Sequence, residues 1–213
     1  MDNLQFASYQ LIAQIISIII SYIIGSIPFG LLLTRVLGFK DIRSIGSGNI
    51  GATNVLRTSN KKIAFTTLVL DALKATVTII IISKLFDNKV GCLAGLATFL
   101  GHIFPVWLKF KGGKGVSTYI GFLIALAPNM AELFIFVWIS SFVFTGYSSI
   151  SSLLSTLIIA IVILIKSPEI NISIIFTFMT IVVYWKHIEN IKRLIIGSEK
   201  KIILNNKNFI KRK

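Results

Sequence analysis

The chain has 213 residues, with 22 Lys and Arg against 8 Asp and Glu, a formal net charge of +14. Hydrophobic residues make up 54% of it and charged residues 14%, and the mean hydropathy is +0.84. A soluble domain keeps about a quarter of its residues charged, so composition excludes a freely soluble protein and points to a bilayer as solvent.

The basic excess would suggest nucleic acid in a soluble protein. In a membrane protein it follows from cytoplasmic retention of basic loops and from contact with anionic lipids, so no nucleic-acid partner is expected. Anionic substrates fit the same charge. Cys92 stands alone in an apolar run and reads as a small packing residue.

Met1 to Gln10 carries no basic cluster, and no small-residue cleavage site follows. Leu11 onward therefore reads as a retained first span. Apolar runs near the length of about 20 residues that a bilayer needs predict spans at Leu11–Leu33, Ile63–Leu85, Val90–Leu108, Ile150–Ile165 and Ile170–Trp185. Val116–Phe144 is too long for one straight helix and short for two, and Ala127-Pro128-Asn129-Met130 interrupts it. Charge decides how often it crosses. With the N-terminus outside and two short helices here, the basic loop Arg35–Lys62, Lys109, Lys111, Lys114 and the tail Lys186–Lys213 all fall inside. Only Lys84, Lys89 and Lys166 then fall outside.

The expected fold is all-α: a polytopic helical bundle of about seven membrane segments, some short or broken, with the N-terminus out and the C-terminus in. It forms one domain over residues 1–213, ending in a basic cytoplasmic tail over 186–213. No internal repeat is visible.

This topology brings three polar stretches to the cytoplasmic side. The first is Ser44-Ile45-Gly46-Ser47-Gly48-Asn49-Ile50-Gly51-Ala52-Thr53-Asn54, followed by Arg57. Its glycines allow a tight turn with exposed N–H groups, an anion nest, and Arg57 adds a fork suited to phosphate. An ordinary glycine-rich connection fits this segment equally well. The second, Phe110-Lys111-Gly112-Gly113-Lys114-Gly115-Val116-Ser117-Thr118, lacks the spacing of a nucleotide P-loop, because Gly115 follows Lys114 and Leu108 holds the early Gly position. It reads as another anion site or as an orienting basic loop. The third, His187-Ile188-Glu189-Asn190-Ile191-Lys192-Arg193, continues to Gly197 and Glu199. His187 and Asn190 would share a helix face there, and a basic amphipathic tail lying on anionic lipid fits the segment equally well.

Asp71 and Lys74 stand three apart within the second span and can pair. His102, near a span end, reads as a packed, hydrogen-bonded histidine. Metal-ligand spacing is absent, so no metal or cofactor is expected.

Taken together, the three stretches resemble the motifs of the bacterial acyl-phosphate:glycerol-3-phosphate acyltransferase family, in order, and the similarity runs from Gly25-Ser26-Ile27-Pro28 to Lys201. The His-four-residues-Asp pattern of the common glycerolipid acyltransferases is missing: Trp107 stands five after His102, and Lys192 five after His187. The resemblance implies a cytoplasm-facing enzyme of the inner membrane. It would make lysophosphatidic acid and phosphate from acyl phosphate and glycerol 3-phosphate, early in phospholipid synthesis. It also implies catalytic positions at Ser47, Lys114, His187 and Asn190. Substrate contacts are implied around Gly48, Asn49, Gly51, Thr53, Asn54, Arg57, Lys111, Gly112, Gly113, Arg193 and Glu199.

Two phosphate dianions ~5 Å apart repel by roughly 13 kcal/mol at an effective dielectric of about 20, which calls for the cations Arg57, Lys114 and Arg193. The Gly48–Thr53 loop would take the acyl phosphate. Arg57, Lys114 and Asn190 would hold glycerol 3-phosphate, with Ser47 orienting a hydroxyl. The proton acceptor stays open among His187, Glu199 and a substrate phosphate oxygen. Docking on the enzyme that makes acyl phosphate also stays open. The competing reading is a transporter or flippase for a phosphorylated solute, although such proteins favour a midplane site between repeats.

Overall fold

The structure, a computed structural model, describes residues 3–58, 60–167 and 169–202. Among these the regular structure is entirely helical. Helix α1, Asn3–Gly25, is followed after a break by α2, Phe29–Val36. The expected single span over Leu11–Leu33 is therefore corrected to two helices. Pro28 has no amide hydrogen to continue the ladder and drives Ile27 out of helical geometry. Helix α1 gains length instead by starting upstream of Leu11. Its Leu11, Ile12, Ile15, Ile16, Ile19 and Ile20 stay exposed, as a lipid-facing surface should.

Helix α3, Ala52–Thr58, leads to the long α4, Lys61–Leu85, where the Asn60 side chain accepts from the Lys62 amide at 2.8 Å. Helix α5, Asn88–Ile103, starts under an Asp87 cap, 2.9 Å from the Val90 amide. After the turn at 104–115 come α6, Val116–Leu126, and α7, Pro128–Thr145. The break expected at Ala127-Pro128 lies between them, with Pro128 at the first helical position. Helices α8, Ser148–Lys166, and α9, Ile170–Lys186, complete the bundle, and α10, Ile188–Ile195, bends 55° away from α9.

Five of the described segments are long and apolar enough to cross a bilayer, and a sixth if α9 and α10 count together. Helix α6 is the short segment. At 1.5 Å per residue it reaches about 16 Å against about 27 Å for α7.

Glycine lets the helices close in without lipid-like filler between them. A Cβ on Gly101 would stand 2.2 Å from the Tyr22 carbonyl oxygen, and one on Gly121 would stand 2.0 Å from that of Ala72. These seams join α1 to α5 and α4 to α6. The main core sits where α6, α7 and α9 converge, around Tyr119, Phe122, Phe134, Phe176 and Met179. Edge-on ring contacts run from Phe176 to Tyr119 (5.4 Å) and to Phe122 (5.3 Å). A smaller cluster of Leu31, Ile42, Ile50, Val55 and Ile63 packs the first polar stretch onto α2 and α4.

Helix α10 is amphipathic, and Ile195 and Ile196 at its end stay exposed. After α10 the chain folds back, the Ile202 amide donates to the Gly146 carbonyl at 3.1 Å, and Glu199 is buried. Residues 203–213 of the expected tail lie outside the described residues.

Candidate functional site

The three polar stretches meet at one end of the bundle. Asn54 organises the first. Its Nδ2 donates to the carbonyls of Ile42 (2.7 Å), Ile45 (3.1 Å) and Asn49 (2.7 Å), and its Oδ1 accepts the Ser47 amide at 2.9 Å. Gly46 and Gly48 turn the chain with φ of +62° and +70°, but the amides expected to form an anion nest are bonded within the loop: Gly48 donates to the Ile45 carbonyl (3.0 Å) and Gly51 to Asn49 Oδ1 (3.2 Å). Asn54 is thus a buried clamp for the loop, while the Ser47 side chain remains exposed beside it.

The second stretch is built differently from the nest expected of it. The Gly112 amide donates to the Ile103 carbonyl (3.1 Å) and the Gly113 amide to the His102 carbonyl (3.0 Å). Both donors are therefore spent inside the fold. Cβ atoms there would stand 2.3 Å from the His102 oxygen and 2.1 Å from its Nε2. These glycines allow a close approach to the end of α5. Lys114 is what the turn presents.

Lys114 Nζ donates to Asn190 Oδ1, and Asn190 Nδ2 donates to Glu199 Oε1 at 2.6 Å. Glu199 also accepts from Arg193 Nε at 2.6 Å and from Ser149 Oγ at 3.1 Å. Arg57 Nη2 donates to the Lys200 carbonyl at 2.8 Å, whereas its Nε is buried without a hydrogen-bond partner among the described residues. An orphaned guanidinium N–H of this kind is a costly donor waiting for an acceptor.

The electrostatics follow from this crowding. Burial pushes the Lys114 ammonium down to about 8; Glu199 opposes that, and Arg193, Arg57 and Lys186 reinforce it. Burial also lowers Arg57, which nonetheless stays a cation. Burial works to raise the Glu199 carboxyl, but hydrogen bonds from Arg193, Asn190 and Ser149 hold it below its usual range. His187 caps the end of α9, and burial with the nearby Lys114 charge lowers it to about 3. Its Nδ1 lies 2.8 Å from the Val183 carbonyl, which can only accept. The proton therefore sits on Nδ1, and Nε2 keeps the lone pair.

These groups edge a cavity of about 680 Å³, the size range of small-molecule sites. Its polar end holds Ser47, Asn49, Gly51, Thr53, Asn54, Arg57, Lys114, His187, Asn190 and Glu199. From there it runs as an apolar slot between Phe65, Leu68 and Val69 of α4, Ile120 and Ile124 of α6, and Ile135, Trp138 and Ile139 of α7. Gly48, Lys111, Gly112, Gly113 and Arg193 stand outside its lining; Lys111 is exposed, and Arg193 reaches the site only through Glu199. Among the described residues no cluster of His, Cys, Asp or Glu could hold a metal ion.

Sequence reasoning missed Ser149. The run Ser148, Ser149, Ser151, Ser152 and Ser155 at the head of an apolar span was the available signal. His102 also lines the cavity, and its Nδ1 lies 3.0 Å from Lys74 Nζ, which holds Asp71 Oδ1 at 2.8 Å. The predicted Asp71–Lys74 pair is therefore formed and extends to a third ionisable group. An ionised side chain at mid-bilayer costs roughly 2.5–3.5 kcal/mol on insertion scales, so mutual pairing in the protein interior is the expected arrangement.

The sequence profile of the glycerol-3-phosphate acyltransferase family matches residues 15–197. A glycerol-3-phosphate acyltransferase of Allorhizobium ampelinum is 51% identical over 95% of this chain and 98% of its own length. One from Rhizobium etli is 51% identical over 92% of this chain and 95% of its own. Among solved structures, PlsY (YgiH), an integral membrane glycerol 3-phosphate acyltransferase, superposes in its glycerol 3-phosphate form with a TM-score of 0.85. It is 35% identical, covering 90% of this chain and 96% of that one. Its lysophosphatidic acid form gives 0.83 at 34% identity, with the same coverage.

Proposed function

The chain belongs to the glycerol-3-phosphate acyltransferase family, and on that premise we propose that it moves a fatty acyl group from acyl phosphate to glycerol 3-phosphate. The products are lysophosphatidic acid and inorganic phosphate, as an early step of phospholipid synthesis at the cytoplasmic face of the inner membrane. The relatives' names supply the acceptor and the product. The donor rests on the site. The observation that carries it is one buried end with two cations, Arg57 and Lys114, one of them holding an orphaned N–H, opening directly onto an apolar slot. That pairing suits a small phosphorylated acceptor beside a donor that is itself a phosphate with a long tail.

In this reading Arg57 and Lys114 hold phosphates, Asn190 orients Lys114 and the substrate, and Ser47 turns the glycerol hydroxyl toward the acyl carbon. The Gly48–Thr53 segment takes the acyl phosphate headgroup, and the acyl chain lies between α4, α6 and α7. The glycerol oxygen attacks the acyl carbonyl carbon and forms the new ester bond. The bond between the acyl carbon and the bridging oxygen breaks, and phosphate leaves with that oxygen and the electron pair. The hydroxyl proton passes to a phosphate oxygen or to the free Nε2 lone pair of His187; a bound dianion raises that imidazole's basicity from its resting value. Glu199, with Arg193, Asn190 and Ser149 all donating to it, is the frame of the site and no base. Acyl phosphate is an activated anhydride, so a covalent acyl-enzyme is unnecessary.

The test is a donor comparison with purified protein and labelled glycerol 3-phosphate. Lysophosphatidic acid should form with acyl phosphate and not with acyl-CoA or acyl carrier protein. Product from acyl-CoA alone would overturn the donor assignment. Product from no donor would overturn the reaction.

A further inference from the structure

Three ionisable side chains, Asp71, Lys74 and His102, are buried in the interior of the bundle, at 1%, 6% and 4% exposure, and the reaction above uses none of them. Their bonding is complete in one sense only. The Lys74 ammonium has three hydrogens and three acceptors around it: Asp71 Oδ1 at 2.8 Å, the Ile27 carbonyl at 3.0 Å and His102 Nδ1 at 3.0 Å. Nδ1 is therefore an acceptor, and the ring proton sits on Nε2. The ring is pinned from below, and its Nε2 edge faces the second polar stretch. That edge occupies the space a Cβ of Gly113 would fill, 2.1 Å away. The backbone repeats the attachment, since the carbonyls of His102 and Ile103 accept the amides of Gly113 and Gly112. The next residue is Lys114.

We infer that His102 is a positioning residue for this site: anchored by the intramembrane Lys74–Asp71 pair, it seats the Gly112–Gly113 turn and so sets where the Lys114 ammonium stands. The inference rests on Lys114 being the cation that meets substrate phosphate. A buried charge pair gives the turn a fixed floor, where apolar packing alone would let it slide with α5.

The test uses His102→Asn and Gly113→Ala, singly and together, in the full chain. The Asn side-chain oxygen takes the place of Nδ1 and keeps Lys74 satisfied, while the Nε2 edge disappears. Gly113→Ala alone should raise KM for glycerol 3-phosphate about tenfold or more, with a smaller change in kcat, because its Cβ displaces the turn. His102→Asn alone should also raise that KM, because the turn loses its support. Adding it to Gly113→Ala should restore part of the loss, because the new Cβ takes up space the ring leaves. Such recovery comes from a shared contact, and two independent structural defects would multiply instead. If Gly113→Ala does not assemble, recovery of monodisperse protein in the double variant is the equivalent support. A double variant no better than Gly113→Ala overturns the positioning role. Lys114→Ala is run beside them: an unchanged KM there overturns the inference through its premise, whatever the double variant does.

Discussion

Lys114 and Arg57 face the same cavity, but they respond differently to pH. A guanidinium stays charged throughout the range in which proteins work, whereas burial has brought the Lys114 ammonium down to about 8. A cation needed to bind phosphate is lost as pH rises through that value, so kcat/KM should fall along an alkaline limb near pH 8. In the complex, the bound dianion favours the charged form, so the limb in kcat should lie at higher pH. Initial rates from pH 6 to 10, at saturating and at low glycerol 3-phosphate, measure both limbs. Lys114→Arg should abolish the limb near 8 even where it costs activity, because the two cations differ in shape. A flat kcat/KM from pH 7 to 9.5 in the unmodified protein would show that Lys114 is not the titrating group. Residue types were the most legible part of this site: Arg57, Lys114, His187 and Asn190 stand out from sequence as polar groups in an apolar chain, and they all reach the cavity.

At the scale of elements the glycines were read less well. Gly51, Gly112 and Gly113 all looked like parts of anion cradles, yet the Gly51 amide donates to Asn49 Oδ1 at 3.2 Å, and Gly112 and Gly113 have their amides bonded to α5 carbonyls. A glycine chosen to expose an N–H and one chosen to exclude a Cβ leave the same letter in the sequence, and only the neighbouring element distinguishes them. The α4–α6 seam makes the distinction measurable. A Cβ at Gly121 would stand 2.0 Å from the backbone oxygen of Ala72, which cannot rotate away. Gly121→Ala should therefore push α6 off α4 and lower stability by about 1–3 kcal/mol, as overpacking does. At Gly51 the φ is not left-handed, and the nearest atom is Asn49 Oδ1 at 3.8 Å. Gly51→Ala should stay within about 0.5 kcal/mol of the parent. Thermal unfolding in one detergent compares the two, and equal losses would refute the seam. The break in the first expected span belongs here too, since hydropathy counts apolar letters and passes over the one missing amide at Pro28.

For the whole molecule, charge and geometry agree on which ends belong together. The Asn54 clamp on Ile42, the Arg57 bond to Lys200 and the Ile202 bond to Gly146 gather the first polar stretch, the α7–α8 turn and the chain end at one pole. Helix α6 explains why hydropathy alone could not count the segments: at 11 residues it is too short to cross, yet it returns the chain so that α7 ends at the cation-rich pole. Lys84, Lys89 and Lys166 end up at the opposite pole, as basic residues do on the translocated side only when few. We propose on that charge distribution that the cation-rich pole faces the cytoplasm. With buried Cys92 changed to Ser, single cysteines at exposed Lys40, Lys89 and Ser198 report each pole. A membrane-impermeant maleimide should label Lys89→Cys in intact spheroplasts, and Lys40→Cys and Ser198→Cys only after permeabilisation. The reverse pattern would turn the molecule over and place the cavity mouth away from the cytoplasmic pool of glycerol 3-phosphate. Labelling of Lys40→Cys and Ser198→Cys from opposite sides would break the shared pole itself, because the Arg57–Lys200 bond requires both segments on one side of the bilayer.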